Sequence, residues 1–209
     1  MADPVAPLIA ELADVGRDAV GRRLVIASGG NLSARLPGSD TFVITAAGTH
    51  FDRLAAGDFS VLGLDGAVLS GNPRPSTEWK LHARTYAVRP DVNAVVHLHP
   101  QVAVILDACG YEVRLLTLDH AYYVAKVNRI PFAHNGSDEL ADWAAEASRD
   151  CNAIILANHG CSTLGDTIAM AYRRSLSLEE AAEATFRCLQ LGNTSATFPP
   201  EALRELHHG

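Results

Sequence analysis

At 209 residues, 48% of them hydrophobic, the chain is long enough to bury one sizeable core and short for two, so a single domain over residues 1–209 is expected. A formal net charge of −7, with charged residues at 20%, gives no general attraction to nucleic acid or to an anionic membrane, and an anionic ligand must be captured locally. The first twenty residues carry Asp3, Glu11 and Asp14 and no basic start before an apolar run; this predicts a cytoplasmic protein without a signal peptide.

Leu8, Leu12, Val15, Ala19, Val20 and Leu24 recur at helical spacing, predicting a helix over residues 7–25 stopped by SGG. NLSARL, TFVIT and FSVLGL are short, apolar or β-branched, and separated by turn-forming segments, so they read as strands of an antiparallel section. Ser76, Thr77 and Glu78 follow two prolines and precede Trp79, Leu81, His82 and Tyr86, predicting an N-capped helix to residue 89 with Glu78 in its first turn. Residues 93–98 are a buried strand, and Pro100 opens a helix to about residue 109.

The stretch VRLLTLDHAYYVAKVNRIPFA reads as mixed strand and loop. GSDELADWAAEASRD is a helix capped by Ser137 or Asp138, NAIILAN is another buried strand, and residues 167–191 form a long helix ending at Gly192. Runs such as NAVVHLHP and NAIILANHG are too short to cross a bilayer and contain histidines. Cys109, Cys151, Cys161 and Cys188 form no CxxC pair and read as reduced thiols. The sum is an α/β fold with a central mixed, largely antiparallel sheet between helical layers.

His97 and His99 lie two apart in AVVHLHP. On a strand, such residues leave the same face and can converge on one point, although one buried histidine beside an incidental one satisfies the same pattern. His159 follows the buried strand NAIILAN and precedes Gly160, where the backbone can turn tightly. Three imidazoles at two strand ends make an open site with room for water or substrate, suited to Zn2+ and also to Mn2+ or Fe2+. His50, His82, His120, His134, His207 and His208 are left out of this set; His82 sits one turn after Glu78 and reads as packed or solvated. The hydroxyls of Ser76 and Thr77, with the free N–H groups of a helix start, form a cradle for phosphate or carboxylate; a plain helix cap reads equally from the same residues.

SGGNLSAR, VITAAGT, RPSTEW, AVVHLHP and ILANHG occur in an order and spacing that resembles the class II aldolase/adducin family, which includes fuculose-phosphate and ribulose-phosphate aldolases. The likeness runs over about residues 6–191. It implies that His97, His99 and His159 bind zinc, that Glu78 is the acid/base, and that Gly30, Asn31, Gly48, Ser76 and Thr77 surround a substrate phosphate. Ala47 stands where the phosphate-binding aldolases tend to carry a hydroxyl, which removes a contact worth about 1.5–3 kcal/mol and leaves a differently shaped substrate open.

The implied reaction is reversible aldol cleavage of a small ketose phosphate through a metal-stabilised enediolate, Glu78 moving the proton. A carboxylate serves best with its pKa near the working pH, which displacement into a dry pocket could achieve by raising it. Two further reactions fit the same parts. They are decarboxylation of a 3-oxo sugar-acid phosphate, whose enzymes resemble this chain over LLTLDHAYYVAKVNRIPFAHNGSDELA, and dehydration of a sugar phosphate. A metal-free adducin-like module has no physical need for three converging imidazoles. In the resembling aldolases a polar residue from the region of LTLDHAYYV reaches the site of a neighbouring protomer in a cyclic tetramer. This makes Asp119, His120, Tyr122 and Tyr123 the candidates for such a contribution here, in an expected homotetramer.

Overall fold

The computed structural model describes residues 4–208, without the side chains of Arg204, His207 and His208; Asp3, and the side chains of His207 and His208, therefore lie outside the described residues. The chain opens with α1 (Ala6–Gly21), then β1 (Asn31–Ala34), β2 (Thr41–Thr45), β3 (Phe59–Gly63) and β4 (Val68–Gly71). It continues through α2 (Trp79–Val88), β5 (Ala94–Leu98), α3 (Gln101–Ala108), β6 (Val127–Ile130) and α4 (Asp138–Ala147). It closes with β7 (Ala153–Leu156), β8 (Gly160–Gly165), α5 (Ile168–Gln190) and α6 (Pro200–His208).

The strands form one eight-stranded sheet in the order β4-β3-β2-β1-β5-β8-β7-β6. Every pairing is antiparallel except β6 with β7, where α4 provides the crossover that parallel neighbours require. The sheet is mixed and largely antiparallel, as the sequence leads one to expect.

Alternation along the strands sends residues to two cores. Leu32, Val96 and Leu98 pack under α1 and α5 with Leu12, Val15 and Ala171. Phe42, Ile44, Val95, Ile154 and Leu164 pack under α2 and α4 with Leu81, Tyr86 and Leu140. Full burial of such side chains contributes roughly 1.5–3 kcal/mol each. The α2 face is the one that matters for chemistry, because Asn31, Ser33 and His97 leave the sheet on the same side as Val95 and meet the stripe Glu78, His82, Tyr86, spaced four apart.

Several local expectations change. The first helix stops at Gly21 rather than residue 25: Arg23 takes φ 62° and Leu24 N–H donates to Ala19 O at 2.9 Å, a left-handed helix end usually marked by glycine. Glu78 occupies the N-cap position of α2, not its first turn, and its side chain does no capping; Ser76 Oγ instead accepts Glu78 N–H at 3.2 Å. Within the stretch read as strand and loop, His120–Val124 is a π-type turn packed on α5, and only Val127–Ile130 is extended. Ser137 and Thr167 cap α4 and α5, accepting Leu140 N–H and Met170 N–H at 3.1 Å each. No described helix is long and apolar enough to cross a membrane.

Candidate metal centre and acid/base

β5 delivers His97 from within the strand and His99 just past its end, where His99 N–H donates to Leu24 O at 3.0 Å and keeps the chain extended. His159 comes from the opposite direction. β7 and β8 pair Leu156 with Gly160, so residues 157–159 form a tight turn, with Asn158 at φ 56° and His159 N–H returning to Leu156 O at 3.0 Å. The turn therefore precedes Gly160, contrary to expectation. Gly160 is needed for a different reason: a Cβ there would lie 2.5 Å from Leu98 O and 2.6 Å from His99 Cδ2. Gly30 answers the same constraint from the other side, its φ being 94° and an added Cβ lying 2.5 Å from His97 O.

These backbones bring one ligating nitrogen from each of His97, His99 and His159 within 4.8 Å of the others, with ring centroids 4.9–5.1 Å apart. His97 Nε2 and His99 Nε2 are 3.2 Å apart, against about 3.3 Å for two imidazole nitrogens on one tetrahedral zinc. His97 Nδ1 lies 2.9 Å from Cys161 O. A carbonyl only accepts, so Nδ1 carries a hydrogen, and in the neutral ring Nε2 is the nitrogen left to present a lone pair to the centre. Burial, followed by the neighbouring imidazoles, pushes His99 down to about 3 and His159 to about 4, so both are neutral and competent as ligands. The donor set fits a divalent transition metal.

Glu78 is buried beside them, Oε2 at 3.3 Å from His97 Nε2 and Oε1 at 3.6 Å from His159 Nε2. Asn31 Nδ2 donates to Oε2 at 2.8 Å, whereas Oε1 has no hydrogen-bond partner. Burial alone would raise this carboxyl; in the metal-free site a proton held on His97, then one on His159, together with the Asn31 N–H, outweighs burial and holds it well below the usual carboxylate range. A buried anionic oxygen with no hydrogen-bond partner beside three convergent imidazoles is what a bound cation would satisfy.

The site opens into a cavity of about 290 Å³ lined by Gly30, Asn31, Gly48, Ser76, Thr77, Glu78, His99 and His159, with His97 beneath. Ala47 lines it too, its N–H already donated to Arg74 O at 2.9 Å. Ser28 and Asn135 also face the cavity. Ser28 belongs to the SGGN turn, whereas Asn135, in the AHNG turn before α4, is not among the residues expected from the sequence. His82, set aside as packed or solvated, is wholly buried and is not among the three converging imidazoles.

Asp119, His120, Tyr122 and Tyr123 do not line this cavity in their own chain. His120 is buried, with Nδ1 accepting Leu116 N–H at 3.3 Å and Nε2 lacking a partner 3.8 Å from Glu180. The Arg173 guanidinium lies over Tyr123 at 4.9 Å, while Tyr122 is 56% exposed.

With that geometry in hand, residues 10–186 match the model of the Class II Aldolase and Adducin N-terminal domain, and the chain belongs to that family. An L-fuculose phosphate aldolase of Methanocaldococcus jannaschii is 34% identical over 164 residues, 78% of this chain and 87% of that protein. A 3-oxo-tetronate 4-phosphate decarboxylase of Haemophilus influenzae is 29% identical over 180 residues, 84% and 85% of the two chains. Among solved structures, an L-fuculose 1-phosphate aldolase superimposes with a TM-score of 0.90 at 27% identity, covering 99% of this chain and 96% of that one. The protein is an enzyme, a metal-dependent carbon-carbon lyase of class II aldolase type.

Proposed function

We propose that the enzyme cleaves a small ketose phosphate reversibly between the carbons of its aldol bond, with His97, His99 and His159 holding zinc and Glu78 as acid/base. The observation that carries this reading is the buried Glu78 Oε1, without a hydrogen-bond partner, beside three convergent imidazoles at the floor of a cavity. Zinc there, or Mn2+ or Fe2+ in its place, would supply positive charge for the substrate oxygens that become negative as the carbon-carbon bond breaks.

The chain's own residues account for the rest. Glu78 Oε1 is free to take or return the proton at the carbon next to the carbonyl, while Asn31 occupies Oε2. Gly30, Asn31, Gly48, Ser76 and Thr77 sit across the same cavity and form the proposed phosphate cradle, N–H and hydroxyl groups supplying the charge-assisted hydrogen bonds. About 290 Å³ suits a sugar-sized ligand.

Decarboxylation of a 3-oxo sugar-acid phosphate is the second reading, supported by the Haemophilus influenzae relative. Incubating the metal-loaded enzyme with ketose phosphates and 3-oxo sugar-acid phosphates, while following aldehyde and carbon dioxide, separates the two. Aldehyde from a ketose phosphate supports cleavage; carbon dioxide alone rejects it.

We further propose that the enzyme works in the cytoplasm as a cyclic homotetramer, its domain spanning residues 1–209, in which Asp119, His120, Tyr122 or Tyr123 completes a neighbour's site. Support comes from their absence from their own chain's cavity and from the exposure of Tyr122 and Leu118 at 56% and 57%. A ring of heterologous interfaces lends the same group to each successive site. Mixing Glu78→Gln protein with a variant lacking those four side chains should regenerate activity after subunit exchange. Exchange without activity rejects the shared site.

A further inference from the structure

The stripe Glu78, His82, Tyr86 on α2 lies against Asn31 and Ser33 of β1, and these five residues form one continuous buried chain of hydrogen bonds. Asn31 Nδ2 donates to Glu78 Oε2 at 2.8 Å; His82 Nε2 meets Asn31 Oδ1. Ser33 Oγ lies 2.6 Å from His82 Nδ1 and 2.7 Å from the Tyr86 hydroxyl. His82 and Ser33 are fully buried, Tyr86 is 1% exposed and Asn31 3%.

Each proton in this chain has one possible place. Carboxylate Oε2 only accepts, so Asn31 turns its amide nitrogen to Glu78 and its carbonyl to His82. That carbonyl also only accepts, so His82 carries its hydrogen on Nε2 and its Nδ1 must accept. Ser33 therefore donates to Nδ1, and Tyr86 donates to Ser33. His82 can play this part only while neutral, and burial, followed by His97, pushes it down to about 3.

We propose that His82 is a positioning residue for the acid/base: acting through Asn31, and backed by Ser33 and Tyr86, it holds the Glu78 carboxylate so that Oε2 is engaged and Oε1 faces the reacting centre. This deepens the reading of Glu78 given above and rests on it. An imidazole that merely filled the core could be exchanged for an apolar group of similar size with no specific effect on turnover. A positioning imidazole cannot, because Asn31 Oδ1 would lose its donor and the amide would be free to rotate away from Glu78. A loss of orientation appears in kcat rather than in substrate binding.

The test compares His82→Leu, His82→Gln and Glu78→Gln in the metal-loaded enzyme on the best-cleaved substrate of the panel above. Imidazole nitrogen NMR on the metal-free wild type is read in parallel. Gln keeps an N–H where His82 Nε2 stood; Leu does not. We expect His82→Leu to retain full metal and a KM within about threefold while kcat falls about 10- to 100-fold. His82→Gln should recover most of that loss, and NMR should show His82 neutral with its hydrogen on Nε2.

Equal impairment in His82→Gln and His82→Leu, or a bare Nε2, overturns the proposal. Wild-type kcat in His82→Leu beside a crippled Glu78→Gln overturns the positioning role alone. Wild-type kcat in both overturns the assignment of Glu78 itself. If His82→Leu does not fold, Ser33→Ala removes the donor to Nδ1, and an unchanged kcat there rejects the chain.

Discussion

The two ends of the cavity are built on different principles. At the imidazole end the polar groups are held by strands and the tight turn between them: His97 by β5 and the Cys161 carbonyl, His159 by the β7–β8 turn, Glu78 by Asn31 of β1. At the anion end the lining, apart from Asn31 on β1, comes from loops, Thr77 is exposed, and Ala46 and Ala47 have spent their N–H groups on Asp58 O and Arg74 O at 2.7 and 2.9 Å. On the reading proposed above, the rigid part stabilises the negative charge that develops on the substrate, and the adjustable part selects which substrate is presented to it. Relatives that are 34% and 29% identical, an aldolase and a decarboxylase by name, match this chain over most of its length, as that division would allow.

The contrast can be broken most severely at the rigid end. Removing any of His97, His99 or His159 should abolish metal binding and with it activity, because an open three-ligand site has no spare protein ligand; elemental analysis of His99→Ala checks this, and full zinc occupancy would reject the assignment. Glu78→Gln should keep the metal and lose ~10² to 10⁴ in kcat, measured at saturating substrate.

Acid should loosen the same end without any mutation. His82 and His99 have folded-state values of about 3 and His159 about 4, all below the ordinary 6.5. Below pH ~6.5 the unfolded chain takes up protons that the folded chain refuses, so stability present above that pH is lost as pH falls toward about 3. Glu78, also held low, acts with the same sign at more acid pH. Thermal melts of metal-free protein from pH 7 to 4 should therefore show a steadily falling Tm. A flat profile would mean that these imidazoles are not buried neutral.

A smaller loss is expected from Gly160→Ala, whose methyl must push Leu98 O or His99 aside, destabilising by about 1–3 kcal/mol. Metal affinity should fall with it, since His99 is one of the displaced groups, and denaturant melts with metal titration measure both. At the adjustable end, Ser76→Ala should raise KM for a phosphorylated substrate and scarcely change that for its dephosphorylated analogue. Ala47→Ser, restoring a hydroxyl, should lower KM modestly. Equal changes for both substrates would remove the phosphate cradle from Ser76.

The sheet and the convergence of its three histidines were largely legible because their signals are local. The His-x-His spacing on an apolar strand needs only period-two geometry, and NAIILAN before His159 needs only burial. β8 was not read, although it pairs with both β5 and β7: GCSTLG is bounded by glycines and carries Ser and Thr, and it is buried only because strands close over both edges. β4 lies at the sheet edge with every residue exposed, so no alternation marks it. The end of α1 was misplaced because Arg23 takes a backbone conformation that its type does not advertise. His82 was passed over for a related reason. Glu78, His82 and Tyr86 recur every four residues, but that stripe acquires meaning only once β1 lays Asn31 and Ser33 against it.

The partner that places a hydrogen on Nδ1 of His97 is a main-chain carbonyl, and this makes the ring's tautomer a property of strand register. Leu98 sits opposite Cys161 and His97 opposite Ser162, so the carbonyl arrives wherever that pairing holds. A side-chain exchange at position 161 that preserves the pairing leaves this carbonyl in place. Drift in sequence can retune the loops around the substrate through many generations, while this one lone pair stays aimed at the centre as long as the two strands keep step.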